Sequence, residues 1–150
     1  MECKTPIIIA SELGHIDIVK ILIENNAKIS WMDAFNRNSV YYAASNGHYD
    51  ILKVLLETNE GKKMTAEYDR DYFYPLHKAA ENGHIEVVKL LMENKASAIC
   101  TTDLQLRPIH LAGKLFIHIG SKRWQIKFKF QENKTHNYPY LQPKTTMLML

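Results

Sequence analysis

Three stretches of the chain share one pattern of apolar and polar positions. IDIVKILIEN from Ile16, YDILKVLLET from Tyr49 and IEVVKLLMEN from Ile85 each place apolar residues three and four apart, as in Ile18, Ile21 and Leu22 or Val87, Leu90 and Leu91. That spacing gathers them on one side of a helix and predicts a stripe that must be buried. A Gly-His pair precedes each stretch, at Gly14-His15, Gly47-His48 and Gly83-His84, with spacings of 33 and 36 residues. Ala10, Ala43, Ala79 and Ala112 recur in the same register. A period of this length marks a repeat architecture, in which each unit is buried against its neighbours.

Upstream of each Gly-His the sequence predicts a shorter helix. It starts at Pro6, Pro75 and Pro108, where proline suits the first turn because its missing N–H would have no intrahelical partner. The paired alanines Ala43-Ala44 and Ala79-Ala80 allow two antiparallel helices to approach closely. Gly14, Gly47 and Gly83 are placed to end the short helix in a left-handed cap.

The segments TPIIIASELGH, YPLHKAAENGH and RPIHLAG resemble the TPLHxAAxxGH core of the ankyrin repeat. The resemblance spans residues 1 to about 113 and implies an all-α solenoid of stacked helix-turn-helix units with hairpin fingers. Repeats are placed at 1–32, 33–68, 69–101 and, broken, 102–120, followed by a basic tail over 121–150 that is poorly structured or a single strand. The three extra residues of repeat two fall within Thr58 to Tyr68 and are assigned to a loop. Asn36, Tyr72 and Gln105 occupy the usual glycine position of the finger turn. Asparagine tolerates a left-handed backbone, so the turns at Tyr72 and Gln105 are expected to be the distorted ones. No repeat carries both the Thr and the His of the motif: those positions read Thr5, Asn38, Tyr74, Arg107 and Ile8, Tyr41, His77, His110. Looser joints than in a consensus array follow.

Repeat one, with Ile7, Ile8, Ile9, Ile16, Ile18, Ile21 and Ile23, has the apolar character of an internal repeat. At the other end GKLFIHIG replaces the Gly-His and no clear second helix follows, so the array reads as part of a longer one whose exposed ends favour association.

Charge divides the chain. Residues 1–113 carry twelve Lys/Arg against fifteen Asp/Glu, and residues 114–150 carry seven against one. A basic segment fits a nucleic-acid or anionic-lipid contact, or a solvated extension. The extension is the plainer reading, and no nucleic-acid partner is expected. Cys3 and Cys100 form no CxxC, which with the lack of a signal peptide implies a reducing, cytoplasmic setting. No apolar run approaches the roughly 20 residues that span a bilayer.

Candidate chemistry is sparse. His15, His48, His77, His84 and His110 sit at repeat-defined positions, and neither HExxH nor clustered Cys/His spacing occurs. Phosphate-binding glycine motifs and GxSxG are absent as well, so no cofactor, metal or catalysis is expected. Cys100 has no charged neighbour that would stabilise a thiolate. The fingers are richer. Trp31, Phe35, Tyr72 and Phe73, with Tyr42 on a first helix, are candidate protein-binding aromatics, either as interface anchors or as packing between adjacent fingers. Arg37, Arg70 and Lys78 join them as charges that would select a partner, with Glu12, Asp33, Asp71 and Glu81 beside them.

A second resemblance is narrower. LETNEGKKMTAEYDRDYFYPLHKAAENGH, followed by SKRW at Ser121–Trp124, is similar to the last ankyrin repeats of TRPA-type cation channels. It implies a piece of the cytosolic arm of a tetrameric channel at the plasma membrane, with no conduction of its own and with other parts of the tetramer as partners. The tail QIKFKFQENKTHNYPYLQPKTTMLML has no counterpart there, and its alternation of Trp124, Ile126, Phe128 and Phe130 with polar residues is strand-like. A free-standing cytoplasmic ankyrin adaptor is the alternative.

Overall fold

The computed structural model describes residues 3–97 and 101–102. Gln105, Pro108, Cys100 and, apart from Thr102, the fourth repeat and the tail lie outside them. Seven helices follow one another among the described residues: α1 (Pro6–Leu13), α2 (Ile16–Glu24), α3 (Ser39–Ser45), α4 (Tyr49–Glu57), α5 (Asn59–Met64), α6 (Pro75–Glu81) and α7 (Ile85–Glu93). The short helices stack, α1 on α3 and α3 on α6, and the longer ones stack behind them, α2 on α4 and α4 on α7.

Sequence explains each boundary. Pro6 and Pro75 open α1 and α6, and at α3 the Asn38 side chain caps the Tyr41 N–H at 2.9 Å. Gly14, Gly47 and Gly83 take φ values of 82, 76 and 75°. The following histidine amide then returns to the alanine carbonyl of the short helix, at 2.9 Å in all three repeats. Two of these glycines have a further task. A Cβ on Gly14 would lie 2.9 Å from the His48 ring, and one on Gly47 would lie 2.6 Å from the His84 ring. Each ring sits against the glycine of the preceding repeat because its Nε2 meets that repeat's last-turn carbonyl, Glu12 at 3.1 Å and Ser45 at 3.0 Å. Asn46 and Asn82 donate to the same two carbonyls at 2.8 and 2.7 Å. The Asn-Gly-His triplet is thus the polar tie between repeats, and Leu52, Leu55, Leu76 and Leu91 supply the fully buried apolar core. Burial of one such side chain contributes roughly 1.5–3 kcal/mol.

Three expectations need correction. The extra residues of repeat two form α5 and not a loop. Thr58 Oγ1 caps the Gly61 N–H at 2.9 Å and donates to the Leu55 carbonyl at 2.7 Å, and Glu60 in the first turn and Lys62 and Lys63 in the last turn match the helix dipole. Glu60 also accepts from the Ser30 N–H at 3.0 Å, which straps repeat one to repeat two. The turn at Tyr72 is not distorted: its φ of 61° matches the 60° of Asn36, with the same hydrogen bonds around it. Finally, Ile7 and Ile8 are buried in the core, so the open side of repeat one is carried by other residues. On that side Ile18 is 49% exposed, whereas Ile51 and Val87, one and two repeats on, are 2% exposed beneath α2 and α4.

Candidate functional site

Two fingers project from the stack, Asp33–Arg37 and Asp69–Phe73, and both are organised by their first residue. Asp33 Oδ1 accepts from the N–H groups of Phe35 and Arg37 at 2.8 and 3.0 Å, and Asp69 Oδ1 accepts from those of Asp71 and Phe73 at 3.0 and 2.9 Å. Such carboxylate-to-backbone bonds hold a tight turn in place of a regular ladder. The other carboxylate oxygen reaches α3: Tyr42 donates to Asp33 at 2.7 Å, and Tyr41 donates to Asp69. Adjacent tyrosines on one short helix therefore anchor two successive fingers. Burial, together with the carboxylate that each hydroxyl meets, pushes Tyr41 well above its ordinary range and Tyr42 up to about 12.

The expected binding residues separate on this frame. Tyr42 was expected at the surface, but it is only 6% exposed and serves as a finger anchor, because α3 turns its hydroxyl inward to Asp33. Arg37 is half-buried, with Nε and Nη2 at 3.1 and 3.0 Å from Asp33 Oδ2. Phe73 is half-buried, with the Lys78 ammonium 4.4 Å from its centroid, and Lys78 itself pairs with Glu81 at 2.8 Å. Phe35, Arg70 and Tyr72 are exposed at the finger tips. Trp31, 61% exposed, stands apart from them and borders an apolar cleft of about 200 Å³ with Thr5, Pro6, Ile7, Leu22, Ala27 and Lys28.

Of the charges expected to select a partner, Glu12 is held by Lys4 at 2.8 Å, Asp33 is consumed inside its finger, and Glu81 is held by Lys78. Sequence reading missed Tyr68, which is exposed and stacks on Tyr72 with centroids 5.2 Å apart. It also missed the anchoring pairs of Tyr41 and Tyr42. Their signal was the 36-residue recurrence of Asp33 and Asp69 immediately ahead of the turn. Among the described residues no group of three or more His, Cys, Asp or Glu is placed to hold a metal ion. Three of the four histidines there have structural roles: His48 and His84 tie repeats, and buried His77 accepts the Tyr74 N–H at 3.2 Å, while the His15 side chain is exposed.

Residues 2–68 match the family described as ankyrin repeats (3 copies), and residues 76–113 match ankyrin repeats (many copies). The chain belongs to the ankyrin-repeat family. No curated protein matches it. An ankyrin array is a protein-interaction module. Among the described residues no helix is long and apolar enough to cross a membrane.

The finger lock carries a pH dependence. Burial pushes the Asp33 carboxyl up, but the Arg37 N–H, the Tyr42 hydroxyl, the Phe35 N–H and the Arg37 guanidinium together bring it below the ordinary range. Glu60 is lowered chiefly by its bond to Ser30. Because both folded-state values are depressed, the unfolded chain binds more protons across the interval between folded and unfolded values. This contribution to stability is complete above the ordinary carboxylate range of roughly 4 and is lost as pH falls through the depressed values. Urea midpoints measured from pH 7 down to pH 3 should decline in that interval, and Asp33→Asn should flatten the decline.

Proposed function

We propose that this array is a protein-binding scaffold whose contact surface is the two fingers together with the first-helix side and the Trp31 cleft. The single observation that carries the reading is that exposed aromatics stand on turns made rigid by buried Asp–Tyr pairs. Rings held this way remove much apolar surface from water on binding while losing little conformational freedom. The outer helices contrast with them: Lys89 on α7 is exposed and pairs with Glu86 at 2.8 Å. Cross-linking of the full chain in cell extract identifies the partner, and titration then reads the surface. Trp31→Ala or Tyr72→Ala should weaken binding by about 2 kcal/mol, and Lys89→Ala by less than about 0.5 kcal/mol. Equal losses from both faces contradict the reading.

We further infer that the scaffold works as part of the cytosolic arm of a TRPA-type cation channel. Support comes from the similarity of residues Leu56–His84 and of SKRW at Ser121–Trp124 to the last repeats of that family. The α5 helix, which sets repeat two apart from its neighbours, lies inside the first of these stretches. Sequencing the transcript is the test. A reading frame that runs on into six apolar segments supports the channel, and a stop after Leu150 leaves a free-standing adaptor.

A further inference from the structure

The two fingers lie side by side because Arg70 donates its backbone N–H to the Phe35 carbonyl at 3.1 Å. Residues 35 positions apart in sequence are thereby joined, and two cations come to share one ring. The Arg37 guanidinium carbon lies 4.4 Å from the Phe35 centroid and that of Arg70 lies 5.9 Å from it. Phe35 remains 39% exposed. The two charges are not equally available. Arg37 spends Nε and Nη2 on Asp33. Arg70 is exposed, and among the described residues no carboxylate, including that of neighbouring Asp71, lies within ion-pair distance of it.

We propose that Phe35 and Arg70 form a docking site for an acidic segment of a partner protein, whose carboxylate takes the Arg70 guanidinium while an adjoining apolar side chain covers the Phe35 ring. This rests on the reading of the array as a protein-binding scaffold and adds the chemistry of the partner. A guanidinium presents a planar fork of donors that matches a carboxylate in bidentate fashion, and its position over an aromatic ring leaves the rim of that fork free. Arg37, already neutralised by Asp33, positions the ring and does not compete for the carboxylate. A lysine-rich segment is repelled by the uncompensated Arg70 cation. A phosphorylated segment is the poorer fit, since phosphate sites are built from clusters of arginines and only one guanidinium here is unpaired. The fingers need little ordering on binding, because Asp33 and Asp69 already hold four backbone N–H groups between them.

The test is a titration of the isotope-labelled full chain with a capped Glu-Leu-Glu-Phe-Glu peptide, followed by nuclear magnetic resonance. Parallel titrations use the same peptide with lysine for glutamate, and with phosphoserine for the central glutamate. Saturable shifts centred on the Phe35 and Arg70 amides and the Arg70 side-chain N–H are expected for the acidic peptide. Arg70→Gln, at an exposed tip, should weaken that binding at least tenfold, Arg70→Lys should retain part of it, and Lys89→Gln should leave it unchanged. Absent or displaced shifts, unaltered binding by Arg70→Gln, or preference for the lysine or phosphoserine peptide would each overturn the proposal. Its failure is distinguishable from failure of the scaffold reading. If a partner cross-linked from cell extract stays bound to the fingers of the Arg70→Gln chain, the scaffold stands and the acidic site falls. If no cross-link reaches the fingers of the wild-type chain, the scaffold reading falls as well.

Discussion

Gly61→Ala should destabilise the protein by about 3 kcal/mol or more, the reverse of what the substitution does in most helices. Alanine in an exposed helix interior is ordinarily favoured over glycine by about 1 kcal/mol. Gly61 is different because it is buried where α5 crosses the end of α4. A Cβ there would lie 2.0 Å from the Leu55 carbonyl oxygen and 2.7 Å from its carbon. Both are backbone atoms, so no side-chain rotation relieves the overlap. The helix must move away, and three contacts go with it: the Thr58 cap on Gly61, the Thr58 bond to Leu55 and the Glu60 strap to Ser30. Urea unfolding followed by circular dichroism measures the change, and a Gly61→Ala chain as stable as wild type would show that α5 does not pack in this way.

Asp33→Ala should cost about 3 kcal/mol and loosen the first finger. Its carboxylate is fully buried and accepts from two backbone N–H groups, from Tyr42 and from Arg37, so alanine leaves every one of them without its partner at once. Arg37 is partly solvated and recovers some of its loss in water; buried Tyr42 does not. Asp33→Asn keeps the acceptor geometry of one oxygen and should fall between the two. Amide exchange at Phe35 and Arg37 should accelerate in Asp33→Ala while exchange in α7 stays slow. Acceleration spread evenly over the array would mean that the aspartate supports the stack as a whole and not the finger.

These two residues also mark the limits of what the amino-acid pattern discloses. The repeat frame was legible because Gly14, Gly47 and Gly83 must take positive φ and because the alanine register permits only close helix packing there. Asn36 and Tyr72 were legible as turn positions because they fall at the usual glycine position of the ankyrin finger, and both take positive φ. Distortion of the turn at Tyr72 was wrongly anticipated, since the positive φ that strains a tyrosine is held by the stack on Tyr68 and by Asp69 from below, and neither contact follows from the identity of residue 72. The α5 helix was read as a loop although its signals were present: a threonine cap, a glutamate in the first turn and two lysines in the last. Six residues are too few for an apolar stripe to emerge, and only the packing on Leu55 makes the helix worth forming. At the candidate site, aromatic composition pointed to the fingers but could not separate Tyr42, turned inward, from Phe35, turned outward. That distinction depends on which side of α3 faces the finger, and it is fixed by the Asp33 carboxylate that takes the Tyr42 hydroxyl, as Asp69 takes that of Tyr41 from 28 residues away.

The central claim, that the fingers and not the outer helices carry the binding surface, is tested most directly by hydrogen exchange on the full chain with and without its cross-linked partner. Slower exchange is expected over residues 31–37 and 69–74 on complex formation, with α4 and α7 unchanged. Protection confined to those outer helices, or to residues 114–150, would contradict it.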